Sequence, residues 1–136
     1  MSTYHAVVWM DQKEAHVMHF DAESMQAERV KSRSHHQRSA GQLQKDTHHA
    51  GMTEKEAAEY FGAIAQALEG SHEVLVVGPA RLHEEFKEWT AKHLPAVAKT
   101  IVGSEKADHP TDGQVVAMAR RYFHKFDNMA GNAGGR

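Results

Sequence analysis

At 136 residues, 40% of them hydrophobic and 25% charged, the chain has the size and composition of one ordinary globular domain. Its net charge of −2 excludes an overall polycation drawn to nucleic acid by bulk attraction, and the lack of cysteine excludes disulfides, thiolate metal sites and cysteine nucleophiles. No apolar run approaches the ~18 residues of a membrane span, and the start MSTYHAVVW lacks the basic and apolar regions of a secretory signal, so a soluble, cytoplasmic protein with no membrane partner is expected.

Residues 4–10 (YHAVVWM) and 15–20 (AHVMHF) are β-branched and aromatic runs separated by Asp11-Gln12-Lys13-Glu14. That spacing predicts an antiparallel hairpin with a four-residue turn. Residues 25–31 follow as a third strand, and residues 32–49 (SRSHHQRSAGQLQKDTHH) form a long polar loop. Thr53-Glu54-Lys55-Glu56 is a capping box, in which the threonine hydroxyl and the glutamate satisfy each other's backbone amides. It opens a helix over 53–69 with Ala57, Tyr60, Phe61, Ile64 and Leu68 at helical spacing and Gly70 at its close. The run EVLVV at 73–77 reads as a strand buried on both faces, ending at Gly78-Pro79. A helix over 81–93 then sets Leu82, Phe86 and Trp89 on one side, and KTIVG at 99–103 is another buried strand. Thr111-Asp112-Gly113-Gln114 caps a third helix, which carries Val115, Met118, Ala119, Tyr122 and Phe126 inward. From Asn128 the Gly-rich NMAGNAGGR predicts a disordered tail. The order β-β-β-loop-α-β-α-β-α gives one α/β domain over 1–127, with a tail over 128–136. Its mixed sheet has about five strands, led by an antiparallel meander and flanked by three helices.

Three segments carry a family resemblance: YHAVVWMDQKEAHVMHF, HEVLVVGPARLHEEF and KTIVGSEKADHPTDGQVVAMARRYF. In order and residues, most specifically at 74–86 and 107–114, they resemble the middle domain of archaeal and eukaryotic class I peptide-chain release factors and of their Pelota relatives. More closely, they resemble small single-domain bacterial relatives described as translational machinery proteins. The likeness covers roughly residues 3–126. It implies an RNase H-like α/β fold and ribosome-linked biology, with the polar loop in the place where a release factor carries Gly-Gly-Gln. In release factors that glutamine helps a water hydrolyse peptidyl-tRNA. Here the corresponding tripeptide is Ala40-Gly41-Gln42, in which alanine restricts the backbone where glycine reaches φ > 0 freely. The length leaves no room for the codon-reading and partner-binding domains of a release factor, so a codon-reading termination factor is not expected.

Charge is unevenly spread. Between 29 and 49 stand Arg29, Lys31, Arg33, Arg38 and Lys45 against the single Asp46, a basic island on a net acidic body. Lys31, Arg33, His35, His36, Arg38, Gln42 and Lys45 are the candidate RNA contacts, because cations neutralise phosphates and His, Gln and Ser donate hydrogen bonds to them. His35, His36, His48 and His49 are candidate metal ligands, but neighbours on an extended chain point to opposite sides and the spacing matches no structural zinc site. Asp11 and Glu14, with Glu73 or Asp108, would be the acids of a metal-dependent nuclease. Asp11 also fits ordinary turn chemistry, and residues 108–112 (DHPTD) fit a turn with a helix cap. His109 between Asp108 and Asp112 is a candidate pKa-tuned group, and Arg120, Arg121 and Lys125 make a small basic patch. The expectation is a translation-associated, non-catalytic protein that contacts the ribosome or structured RNA through this loop, with no cofactor and no DNA. The alternatives are a hydrolase, through Gln42 or a metal, and a His-loop metal-binding protein. Self-association stays open.

Overall fold

A computed structural model describes residues 5–21, 25–32, 52–79 and 81–133, with side chains described as far as Lys125. Strand β1 (His5–Met10) turns into β2 (Glu14–Phe20) around Asp11. The Asp11 carboxylate accepts the backbone amides of Lys13 (2.8 Å) and Glu14 (3.0 Å), which is the turn chemistry read from the sequence. β3 (Met25–Lys31) pairs antiparallel with β2, Glu14 standing opposite Lys31. Helix α1 (Glu54–Ala67) opens with the capping box in place: Thr53 Oγ1 accepts from the Glu56 amide and Glu56 Oε1 from the Thr53 amide. Gly70, at φ 91°, supplies the left-handed turn beyond its end. β4 (Glu73–Gly78), α2 (Leu82–His93), a short α3 (Pro95–Ala98), β5 (Ile101–Lys106) and α4 (Asp112–Ala133) complete the chain.

The strands lie in the order β3-β2-β1-β4-β5. The first three form an antiparallel meander, while β4 and β5 run parallel to β1. This mixed five-stranded sheet agrees with the RNase H-like, release-factor middle-domain type that the resemblance implied. α1 and α2 cover one face, where Phe61, Ile64 and Phe86 pack on Val8, Val17 and Val76. α4 covers the other face, with Val115, Val116, Ala119 and Phe123 against Val7, Met18, Leu75 and Val77. Alternate residues of β1 and β4 feed opposite cores, hence their unbroken apolar runs. Among the described residues no helix is long and apolar enough to cross a membrane.

Three expectations shift. Pro95 at the first position of α3 starts a helical turn, closed by the Thr100 hydroxyl on the Val97 carbonyl (2.7 Å). The last strand therefore begins at Ile101, two residues after the expected Lys99, and its pairing with β4 carries it on to Lys106. The inward stripe of α4 includes Val116 and Phe123, while Met118 and Tyr122 sit at its margin and the Phe126 side chain lies outside the described residues. Finally, α4 runs on to Ala133, past Asn128 where the tail was expected to begin. A glycine such as Gly131 costs a helix only about 1 kcal/mol relative to alanine, which its helical neighbours offset.

Candidate nucleic-acid interface at the loop-bearing end of the sheet

The segment 33–51 leaves and re-enters the fold at one point. The Ser32 amide donates to the Lys13 carbonyl (2.8 Å) and its hydroxyl lies 3.7 Å from the sulfur of Met52. Ser32 and Met52 are both fully buried, so the two roots are clamped together beside the β1–β2 turn. This is also the end of the sheet where parallel β1 and β4 finish, the usual position of binding sites in α/β folds. Arg33, His35, His36, Arg38, Gln42, Lys45, His48 and His49 lie outside the described residues; Lys31 alone of the candidate contacts lies within them.

Lys31 has a companion that the list of candidates omitted. Arg29 stands opposite His16 and Lys31 opposite Glu14, and residues directly opposite in an antiparallel ladder share a face. Both cations are exposed on the α4 side of the sheet. Their field reaches Glu14, whose carboxyl is held below its ordinary value mainly by a hydrogen bond from His16, with Arg29 and Lys31 adding to the effect. The signal for Arg29 was the i, i+2 spacing on a strand, readable only once the strand was assigned.

The histidines and acids sort differently from the sequence expectation. It is His16, and not His109, that Asp112 engages. His16 Nδ1 lies 2.7 Å from Asp112 Oδ1 and Nε2 lies 2.9 Å from Glu14 Oε2, with the Trp9 ring edge-on to the imidazole. Both nitrogens donate to carboxylates, which requires the imidazolium. Burial would lower the His16 pKa, but the two carboxylates outweigh it and raise the pKa above the ordinary 6.5. The triad ties the first turn of α4 to β2. His109 instead leans over Trp9 (ring centroids 5.3 Å apart), 3.7 Å from Asp11 and 3.6 Å from Asp108, and is largely exposed.

The nuclease acids do not assemble. Glu73 pairs with His5 at 2.9 Å at the start of β1, six residues from Asp11 and so about 20 Å away along the strand. Among the described residues no group of three or more His, Cys, Asp or Glu is placed to hold a metal ion. Thr111 and Gln114 form the second capping box, as read from the sequence. In the expected basic patch, Arg120 is engaged in structure, donating to the Asp21 carbonyl (2.7 Å) and stacking over Phe20, while Arg121 and Lys125 remain exposed. Gly78 is required by close approach: a Cβ there would lie 2.8 Å from the Met10 carbonyl oxygen and 3.0 Å from His83 Nδ1. His83 itself is buried, which pushes its pKa below the ordinary value.

The triad predicts a pH signature. The share contributed by His16 is complete below about pH 6.5, the unfolded-state value, and is lost as pH rises through the raised folded-state pKa. The share from Glu14 is complete above about pH 4.5 and is lost as pH falls through its lowered value. His16→Gln should therefore cost stability between these limits and flatten the alkaline flank of melting temperature against pH. The loss should be about 1 kcal/mol, because solvent screens part of the triad. Parallel wild-type and variant curves across pH 5 to 9 would refute the assignment.

No family model matches the sequence, and no curated protein does. Solved structures do. The Pelota protein of Thermoplasma acidophilum superposes with a TM-score of 0.58 at 25% identity, covering 85% of this chain and 31% of that one. The Archaeoglobus fulgidus Pelota gives 0.59 at 13% identity, covering 89% and 32%. An archaeal translation termination factor gives 0.53 at 11% identity, covering 96% and 42%. The chain thus spans about a third of the Pelota proteins it matches. Its order of elements and these superpositions agree: the chain resembles, in fold, the group formed by Pelota and the archaeal release factors.

Proposed function

We propose that the chain is a translation-associated binding protein that contacts the ribosome or structured RNA through one end of its sheet. The supporting likeness is to Pelota proteins, to a yeast translation termination-like factor described as acting in RNA quality control, and to an archaeal termination factor. The observation that carries the reading is local. A basic segment is rooted at Ser32 and Met52 beside two exposed cations, Arg29 and Lys31, which share one face of the sheet. Phosphate contacts come from Lys31, Arg33, Arg38 and Lys45, with hydrogen bonds from His35, His36 and Gln42.

Sucrose-gradient sedimentation of cell extract tests this directly. The protein should travel with ribosomal fractions at low salt and move to the top of the gradient as salt is raised, because phosphate contacts are released by counterions. A protein that stays at the top at every salt concentration, in growing and in starved cells, overturns the proposal.

A further inference from the structure

β3 is the outermost strand of the sheet, and every residue of it except Val30 is exposed. Among the described residues, Met25 at its start is the large hydrophobic that stands exposed, at 44%. The opposite edge is better sheltered: Tyr122 crosses Gly103 of β5 and donates its hydroxyl to the Val102 carbonyl. We propose that β3 pairs with β3 of a second copy of this chain, antiparallel about a two-fold axis at Ala27, joining two five-stranded sheets into one. The pairing stands independently of any RNA contact.

The register follows from the ladder. The Ser32 amide bonds to the Lys13 carbonyl, so that pair exchanges backbone hydrogen bonds, and such pairs alternate along an antiparallel ladder. Val30, Glu28 and Gln26 therefore turn their backbone groups toward β2. Met25, Ala27, Arg29 and Lys31 turn theirs to the open edge, a row of donors and acceptors of the kind that templates another strand. A two-fold axis normal to a continuous sheet keeps each residue on its own face. Opposed residues must share a face, so the axis passes through a residue position.

Charge then selects the position. An axis at Glu28 sets two glutamates directly opposite, and one at Arg29 sets two guanidinium groups opposite, both destabilising. At Ala27 no like charges meet. Small side chains lie at the axis, Met25 faces the stem of Arg29 of the second copy, and Gln26 faces its Glu28, a pair able to hydrogen-bond. The axis residue also turns its amide and carbonyl outward, so the central pair and both Met25–Arg29 pairs are hydrogen-bonded ones. In the joined sheet the Arg29 and Lys31 rows of the two copies lie on one face.

The cysteine-free chain makes the test clean. Opposed residues of a hydrogen-bonded pair have Cα atoms about 5.5 Å apart, within disulfide reach. Ala27→Cys at tens of micromolar, oxidised in air, should give a disulfide-linked dimer. Glu28→Cys should not, because two residues of offset set its copies about 8 Å apart, beyond the reach of an unstrained bridge. Sedimentation equilibrium should show wild-type dimers at the same concentration, lost in Ala27→Glu, whose melting temperature should match that of wild type diluted until it is monomeric. Equal oxidation rates for the two cysteine variants, faster linkage of Glu28→Cys, or a wild-type chain that stays monomeric would each overturn the proposal. The last result would leave the edge to another occupant, such as the chain's own segment 33–51.

Discussion

Replacing Arg29, Lys31, Arg33 and Arg38 together by glutamate is expected to weaken binding to purified ribosomes by on the order of 100-fold or more at moderate salt. The reasoning is electrostatic. Each cation that neutralises a phosphate releases a condensed counterion, so each contributes about 0.9 to the slope of log affinity against log salt, or about 0.7 on single strands. Removing four such contacts should flatten that slope by about 3 to 4, and this is the more telling readout, because a merely misfolded variant would lose affinity without an orderly change of slope. The pair Arg29→Glu with Lys31→Glu should account for about half of the change if the strand face takes part alongside the loop. Both side chains are exposed and neither packs in a core, so melting temperatures should fall only by the few degrees that follow from replacing their attraction for Glu14 with repulsion. Fluorescence anisotropy of the labelled protein against ribosomes across a salt series measures all of this. An unchanged slope in the fourfold variant would remove the basic segment from the interface, whatever the sedimentation profile shows.

What the sequence made legible, and what it hid, divides by range. Thr53 with Glu56 and Thr111 with Gln114 are contacts within four residues, and both capping boxes are where the residues alone put them. The Asp11 turn is equally local. The partnership of His16 with Asp112 spans 96 residues, and nothing in either neighbourhood announces it. Proximity in the chain drew attention to His109, which sits between two acids in sequence but beside only one of those two in space. The inward face of α4 shifted because Val116 and Phe123 are buried as the helix crosses Val7, Leu75 and Val77, and a helix of mixed apolar residues does not fix its own rotation. The exposure of β3 was invisible for a related reason. MQAERVK alternates too weakly to reveal that only Val30 reaches a core. Of the candidate interface, the sequence supplied the charges, while the fold supplied the shared face of Arg29 and Lys31 and the common root of segment 33–51 at Ser32 and Met52.

Phe61→Ala is expected to lower stability by about 3 to 5 kcal/mol. Phe61 is fully buried where α1, α2 and the sheet meet. Its ring packs edge-on to Phe86 (centroids 5.5 Å apart) and against Trp89 (5.7 Å). Neighbours on three elements restrict collapse into the space left behind, so the cavity contribution adds to the lost transfer free energy. The next residue provides a contrast of opposite sign within the same helix. Gly62 lies inside α1 without a left-handed backbone, and a Cβ there meets nothing within 4 Å. Gly62→Ala should therefore stabilise by about 0.5 to 1 kcal/mol, through the helical backbone alone. Urea unfolding of the two variants beside wild type separates the effects, because neither substitution should change the denaturant slope much while both move the midpoint. A Phe61→Ala loss below about 1.5 kcal/mol would place that ring outside the main core. The contact between α1 and α2 would then need redrawing, and with it the seat of Met52, which packs in the same core and anchors one root of the basic segment.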